Sequence, residues 1–68
     1  MLNKERTGNY INSKIVEYGY SKQEVADYLG LKTPRVIYDY IDGEKMPSLE
    51  RLILLSELFN CFVDDMLK

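Results

Sequence analysis

The sequence contains no histidine, a single cysteine and only two prolines. Histidine is the commonest general base and metal ligand, so its absence argues against most catalytic and metal sites. One cysteine, Cys61, excludes an internal disulfide, and its position between Phe59 and Phe62 indicates a small side chain buried in a core. We therefore expect no enzyme activity, no metal site and no cofactor.

Long hydrophobic runs are also missing. No apolar stretch approaches the roughly 18 residues that a membrane-spanning helix needs, and the N-terminal MLNKERTGNY lacks the apolar centre of a signal peptide. With 68 residues, 46% of them hydrophobic, the chain can bury only about 60% of its unfolded surface. We expect a single domain over residues 1–68, located in the cytoplasm, with no membrane partner.

A strong excess of positive charge is absent too, since the formal net charge is −2. The charges are unevenly distributed: residues 1–47 carry seven basic and seven acidic side chains, whereas residues 48–68 carry two basic and four acidic ones. Binding to a polyanion is usually accompanied by a basic surface. Any such surface must lie in the neutral first two thirds of the chain.

No segment alternates polar and apolar residues over the length of a strand, so the chain is predicted to be all-α. Apolar residues at helical spacing predict five short helices, over about residues 7–18, 21–29, 33–41, 48–59 and 62–67. Residues 1–6 are left as a candidate flexible N-terminal arm. The first four helices are each followed by a residue that tolerates a left-handed backbone: Gly19, Gly30, Gly43 and Asn60.

Residues 21–42 hold two short helical patterns joined by a tight turn. The pattern S21-K22-Q23-E24 is a capping box, and Thr33-Pro34 is predicted to be an N-cap followed by proline at the first helical position. Val25, Ala26, Ile37 and Tyr40 are predicted to point inward. The second helix keeps a mixed outer face of Arg35, Val36, Tyr38 and Asp39, which is typical of a helix-turn-helix that reads DNA.

Two stretches carry a family resemblance: Y20-S21-K22-Q23-E24-V25-A26-D27-Y28-L29-G30, and P47-S48-L49-E50-R51-L52-I53-L54-L55-S56-E57-L58-F59-N60. Their order and spacing resemble the Cro/repressor (XRE-type) helix-turn-helix family over about residues 8–67. The resemblance implies a compact five-helix, lambda-repressor-like DNA-binding domain, usually a dimer on a two-fold-symmetric operator. The sequence departs from it in a turn one residue longer, in Tyr40 where tryptophan is usual, and in Ile41 where an acid is common.

The same resemblance assigns DNA contacts. Lys22 and Lys45 match phosphate-contacting positions, and Lys32 in the turn is a weaker candidate. The tip and the groove-facing side of the recognition helix are Thr33, Pro34, Arg35, Val36, Tyr38 and Asp39. Arg35 can read guanine or form a surface salt bridge with Asp39; Asp39 can accept from cytosine or position Arg35; Tyr38 can contact phosphate, a thymine methyl or only solvent.

The C-terminal segment 61–67 is apolar and acidic, which indicates a protein partner, most simply a second copy of the chain. The candidate interface residues are Leu54, Phe62, Val63, Met66 and Leu67. Local burial of this segment by the last helix is the alternative. The leading hypothesis is a sequence-specific transcriptional regulator, a small dimeric repressor without a small-molecule effector. The rival is a protein-interaction adaptor or antitoxin-like module that uses this C-terminal end.

Overall fold

The computed structural model describes residues 3–67, which form five helices and no strand. The helices are α1 (Lys4–Tyr18), α2 (Lys22–Tyr28), α3 (Arg35–Ile41), α4 (Leu49–Leu58) and α5 (Val63–Leu67). Helix α1 packs against α3 and α5, α2 packs against α3, and α4 packs against α5. The all-α five-helix architecture predicted from the sequence is confirmed.

One apolar core holds these short helices together. Every helix contributes to it, and the buried members are Ile11, Ile15, Val25, Ala26, Ile37, Tyr40, Leu52, Leu55, Phe59 and Met66. Helices of five to ten residues are marginal in isolation, so this shared core is what keeps them folded. Two side-chain hydrogen bonds reinforce this core. The Thr7 hydroxyl donates to the Met66 carbonyl oxygen at 2.9 Å, and the Tyr18 hydroxyl donates to the Phe59 carbonyl oxygen at 2.7 Å.

The first four helices end in the same way. After each helix, two backbone N–H groups donate hydrogen bonds to carbonyl oxygens of its last turn, which is the pattern of a Schellman motif. The residue at the bend has a positive φ in every case: Gly19, Gly30, Gly43 and Asn60. The helix ends predicted from these residues therefore match the structure, because the left-handed bend is a local property of the chain.

Two helix starts differ from the prediction. Helix α1 begins at Lys4 because the Asn3 side chain accepts from the Arg6 N–H at 3.1 Å, so residues 4–6 are helical and not part of an arm. Of the predicted arm over 1–6, residues 1 and 2 lie outside the described part of the chain. Helix α3 begins at Arg35 and not at Pro34: Pro34 occupies the N-cap position without a side-chain cap bond, so the Thr33 cap prediction is wrong.

Candidate nucleic-acid interface

Hydrogen bonds order α2 at its start and tie the following turn back to it. At the start of α2, Ser21 Oγ accepts from the Glu24 N–H at 3.0 Å while Glu24 Oε1 accepts from the Ser21 N–H at 2.8 Å, which is the predicted capping box. After α2, the Leu31 N–H donates to the Ala26 carbonyl oxygen at 2.8 Å. Gln23 Nε2 also lies 3.4 Å from the Lys32 carbonyl oxygen. The longer turn is thus an ordered connection tied to α2.

Helix α3 has one buried and one exposed side. Ile37 and Tyr40 are buried, as predicted, while Arg35 is exposed and Tyr38 is 50% exposed. Val36 is half-buried and packs against the core, so only part of its side chain is free for another contact. A helix turned in this way offers Arg35 and Tyr38 to a ligand while its other side anchors it.

Two residues that the sequence did not single out hold α3 in place. Gly8 is buried in α1, and a Cβ added there would overlap the Tyr40 carbonyl oxygen and lie 2.9 Å from that of Ile41. Arg51 Nη1 on α4 donates to Tyr40 Oη at 2.9 Å. A glycine inside an otherwise helical pattern was the available signal for this close approach. No comparable signal marks Arg51, because its partner comes from tertiary packing.

The predicted phosphate-contacting lysines flank the exposed side of α3. The Lys22 ammonium lies 5.9 Å from the centre of the Tyr38 ring, within the range of a cation–π contact. Lys45 Nζ lies 3.3 Å from Asp39 Oδ2. Lys32 is exposed in the turn, beside exposed Thr33 and half-buried Pro34. Two of the three lysines are therefore paired with a residue of α3: Lys22 with Tyr38, and Lys45 with Asp39.

The surface salt bridge between Arg35 and Asp39, the alternative to a DNA contact by Arg35, is not present in the structure. Asp39 pairs with Lys45 instead, because the chain after α3 turns back toward the last turn of that helix. Among residues 3–67, Arg35 has no ion-pair partner. Its guanidinium therefore has no carboxylate partner in the described part of the chain that competes with a ligand.

The residues predicted to form a dimer interface differ in how exposed they are. Phe62 is 78% exposed, and Leu54, Val63 and Leu67 are half-buried. Met66 is only 1% exposed and belongs to the core, so its assignment to a dimer surface is wrong: α5 folds back against α1 and turns this side chain inward. Leu49 and Ile53, apolar at helical spacing in α4, are exposed at 67% and 46%.

The described residues contain neither a candidate metal site nor a membrane-spanning helix. Within residues 3–67, no group of three or more cysteine, aspartate or glutamate side chains could hold a metal ion. None of the described helices is both long and apolar enough to cross a bilayer.

Comparison with known proteins identifies the family to which the chain belongs. A sequence model of the helix-turn-helix family matches residues 11–64, which is most of the chain. The chain belongs to the XRE-type helix-turn-helix family. It is accordingly a DNA-binding transcriptional regulator and not an enzyme. No curated protein sequence matches it.

A solved structure shares the fold of this helix-turn-helix protein. The crystal structure of the clp gene regulator ClgR from C. glutamicum superposes with a TM-score of 0.81 and is 23% identical in sequence. The match covers 94% of this chain and 82% of the other. At this identity the likeness is one of fold.

Proposed function

We propose that the protein is a sequence-specific repressor that binds duplex DNA as a homodimer in the cytoplasm, with α3 in the major groove. The observation that carries this proposal is the two-sided α3. Ile37 and Tyr40 fix its inner side in the core, while Arg35 and Tyr38 stay exposed between two lysines. Occupancy of the operator, controlled by protein concentration or a partner protein and not by a small-molecule effector, would block transcription.

The residues divide into base-reading and phosphate-binding groups. Arg35 is the base reader, because a free guanidinium can donate to guanine O6 and N7 and discriminate by about 1–3 kcal/mol. Val36 and Pro34 offer apolar contact at the tip of α3, and Thr33 a hydroxyl. Lys22, Lys32 and Lys45 contact phosphates, which position the domain without reading sequence.

A salt series on random duplex DNA tests this function against the rival one, a protein-interaction module that uses the C-terminal end. Each neutralised phosphate releases counterions, so log affinity should fall linearly with log salt concentration, with a slope of about −0.9 per contact. Fluorescence anisotropy between 50 and 200 mM salt measures this slope. Failure to bind DNA at any salt concentration in this range would overturn the proposed function.

Substitution of Arg35 and Lys32 separates the two groups. Arg35→Ala should relax the preference at one operator position and cost about 1–3 kcal/mol on the preferred site. Lys32→Ala should weaken all sequences alike and reduce the salt slope by about 1. Selection of bound sequences from a random duplex pool measures the first effect, and the fluorescence anisotropy salt series measures the second. An unchanged preferred site for Arg35→Ala would remove it as the base reader.

The homodimer is proposed on the exposed Phe62, with half-buried Leu54, Val63 and Leu67 near it in the chain. A single seven-residue recognition helix offers few contacts, and a second copy doubles them. A two-fold dimer should place the two α3 helices about 34–36 Å apart, one turn of duplex DNA. Operators selected by the protein should therefore be inverted repeats with half-sites about 10 base pairs apart.

A further inference from the structure

Asp39 is an unexpected residue on a DNA-facing helix because its carboxylate repels phosphate. Its side chain is 29% exposed and its Oδ2 lies 3.3 Å from Lys45 Nζ, whose side chain is 62% exposed. Lys45 is one of three lysines proposed to contact phosphate. The only ion pair that the described residues form on this surface thus joins an acid of α3 to one of these lysines.

The way α3 ends builds this pair into the fold. The Asp39 carbonyl oxygen accepts from the Glu44 N–H at 2.9 Å and from the Lys45 N–H at 3.3 Å. These bonds bring the backbone of Lys45 back to the last turn of α3, directly beside Asp39. The positive φ of Gly43 makes the bend possible. Backbone and side chain of Asp39 therefore both engage the same segment, and the ion pair does not depend on a chance meeting of two mobile side chains.

The contact between Lys22 and Tyr38 and the ion pair between Lys45 and Asp39 differ in net charge. An aromatic ring leaves the positive charge of Lys22 in place, whereas the Asp39 carboxylate neutralises that of Lys45. A phosphate that contacts Lys45 must compete with a carboxylate already present, and it also approaches that negative charge. Phosphate contacts add affinity without regard to sequence. A weakened phosphate contact lowers binding to random DNA and leaves a larger share of the affinity to base contacts.

We infer that Asp39 is a specificity-determining residue that limits non-specific DNA binding by occupying Lys45. This inference rests on the proposed function of the same surface. It replaces both roles that the sequence suggested for Asp39, reading cytosine and positioning Arg35. Exposed ion pairs are weak, so a correctly placed phosphate can still displace the carboxylate on a specific site.

The test compares Asp39→Asn in two backgrounds, the native chain and Lys45→Met. Asp42→Asn is the matched control, because it removes the same charge from the same end of α3 at an exposed residue outside the ion pair. Affinities for random duplex and for a selected operator are measured by fluorescence anisotropy between 50 and 200 mM salt. Circular dichroism checks that each variant folds; the backbone bonds of residue 39 do not depend on its side chain.

In the native background, Asp39→Asn should raise affinity for random duplex about three- to tenfold at 50 mM salt and steepen the salt slope by about 0.9. The ratio of operator to random affinity should fall. Asp42→Asn should change random-duplex affinity less than twofold, and in the Lys45→Met background Asp39→Asn should have no effect beyond that of the control.

Three results would overturn the inference. An equal rise in affinity in both backgrounds would mean that Asp39 repels phosphate without acting through Lys45. A change of preferred base at one operator position, with random-duplex affinity unchanged, would make Asp39 a base reader. If neither the native chain nor Asp39→Asn bound duplex DNA at 50 mM salt, the proposed function would fail together with the inference, whereas in the first two cases it would stand.

Discussion

At the scale of single residues, Gly8 has a structural role that no other residue can take. It lies where α1 crosses the C-terminal end of α3, and an added Cβ would overlap the Tyr40 carbonyl oxygen. Gly8→Ala must push the two helices apart, so we expect it to lower the free energy of unfolding by about 1–3 kcal/mol. The higher helix propensity of alanine offsets this loss by less than about 1 kcal/mol. Urea unfolding followed by circular dichroism measures the difference.

Asn9→Ala is the control for this substitution, because Asn9 is the next residue of α1 and is exposed. It should leave stability unchanged or raise it by a few tenths of a kcal/mol, about the difference in helix propensity. If Gly8→Ala were as stable as Asn9→Ala, α1 and α3 would not be in the close contact described. Because α3 carries the residues proposed to face DNA, the destabilised variant should also bind operator more weakly.

The residues of the candidate site could be predicted from sequence only where a local pattern marked them. The capping box and the start of α2 placed Lys22, and the inward positions of Ile37 and Tyr40 placed Arg35 on the opposite side. The partner of Asp39 could not be predicted, since it depends on how the chain leaves α3. Helical spacing indicated Arg35, four residues before Asp39, as its ion-pair partner. The bend at Gly43 instead brings Lys45 close enough to Asp39 to form the pair.

At the scale of elements, ends were more predictable than starts. The left-handed bends after α1 to α4 need glycine or asparagine, so the sequence marks them directly. Starts depend on which side chain reaches the first N–H groups. The Asn3 side chain caps α1, which therefore starts earlier than the apolar spacing indicated. Thr33, in contrast, does not cap α3. A glycine within helical α1 signals a close approach, but the partner of Gly8 cannot be read from local patterns because it lies in α3, about 30 residues further along the chain.

The capping box of α2 gives a prediction at this scale. Helix α2 has only seven residues, and Ser21 satisfies the Glu24 N–H while Glu24 satisfies the Ser21 N–H. Ser21→Ala removes the side-chain acceptor, so we expect a loss of about 1 kcal/mol in the free energy of unfolding. Urea denaturation measures it. Ser13→Ala, at an exposed position within α1, should instead be neutral or slightly stabilising; equal losses in both variants would contradict a capping role.

At the scale of the whole molecule, the fold class followed from helical spacing and the family resemblance, but the surface for a second copy did not. The apolar C-terminal segment contains residues with opposite roles: Met66 fills the core, and Phe62 is exposed. Sequence alone cannot separate them, because the direction in which α5 packs on α1 decides which side chain points inward. The exposed Phe62 makes the proposed dimer testable without disturbing the core.

Phe62→Glu should convert the proposed dimer into a monomer, since a charge at the centre of an apolar interface is left desolvated and unpaired. Val16→Glu is the matched control: Val16 is also apolar and 70% exposed, but it lies on α1, outside the proposed interface. Analytical ultracentrifugation should show a monomer for Phe62→Glu and a dimer for Val16→Glu.

Because linked half-sites gain affinity through effective concentration, Phe62→Glu should weaken binding to an inverted-repeat operator by about 10²-fold or more while binding to one half-site stays unchanged. A Phe62→Glu variant that sedimented as a dimer would place the contact elsewhere, and exposed Leu49 and Ile53 on α4 would be the next residues to substitute.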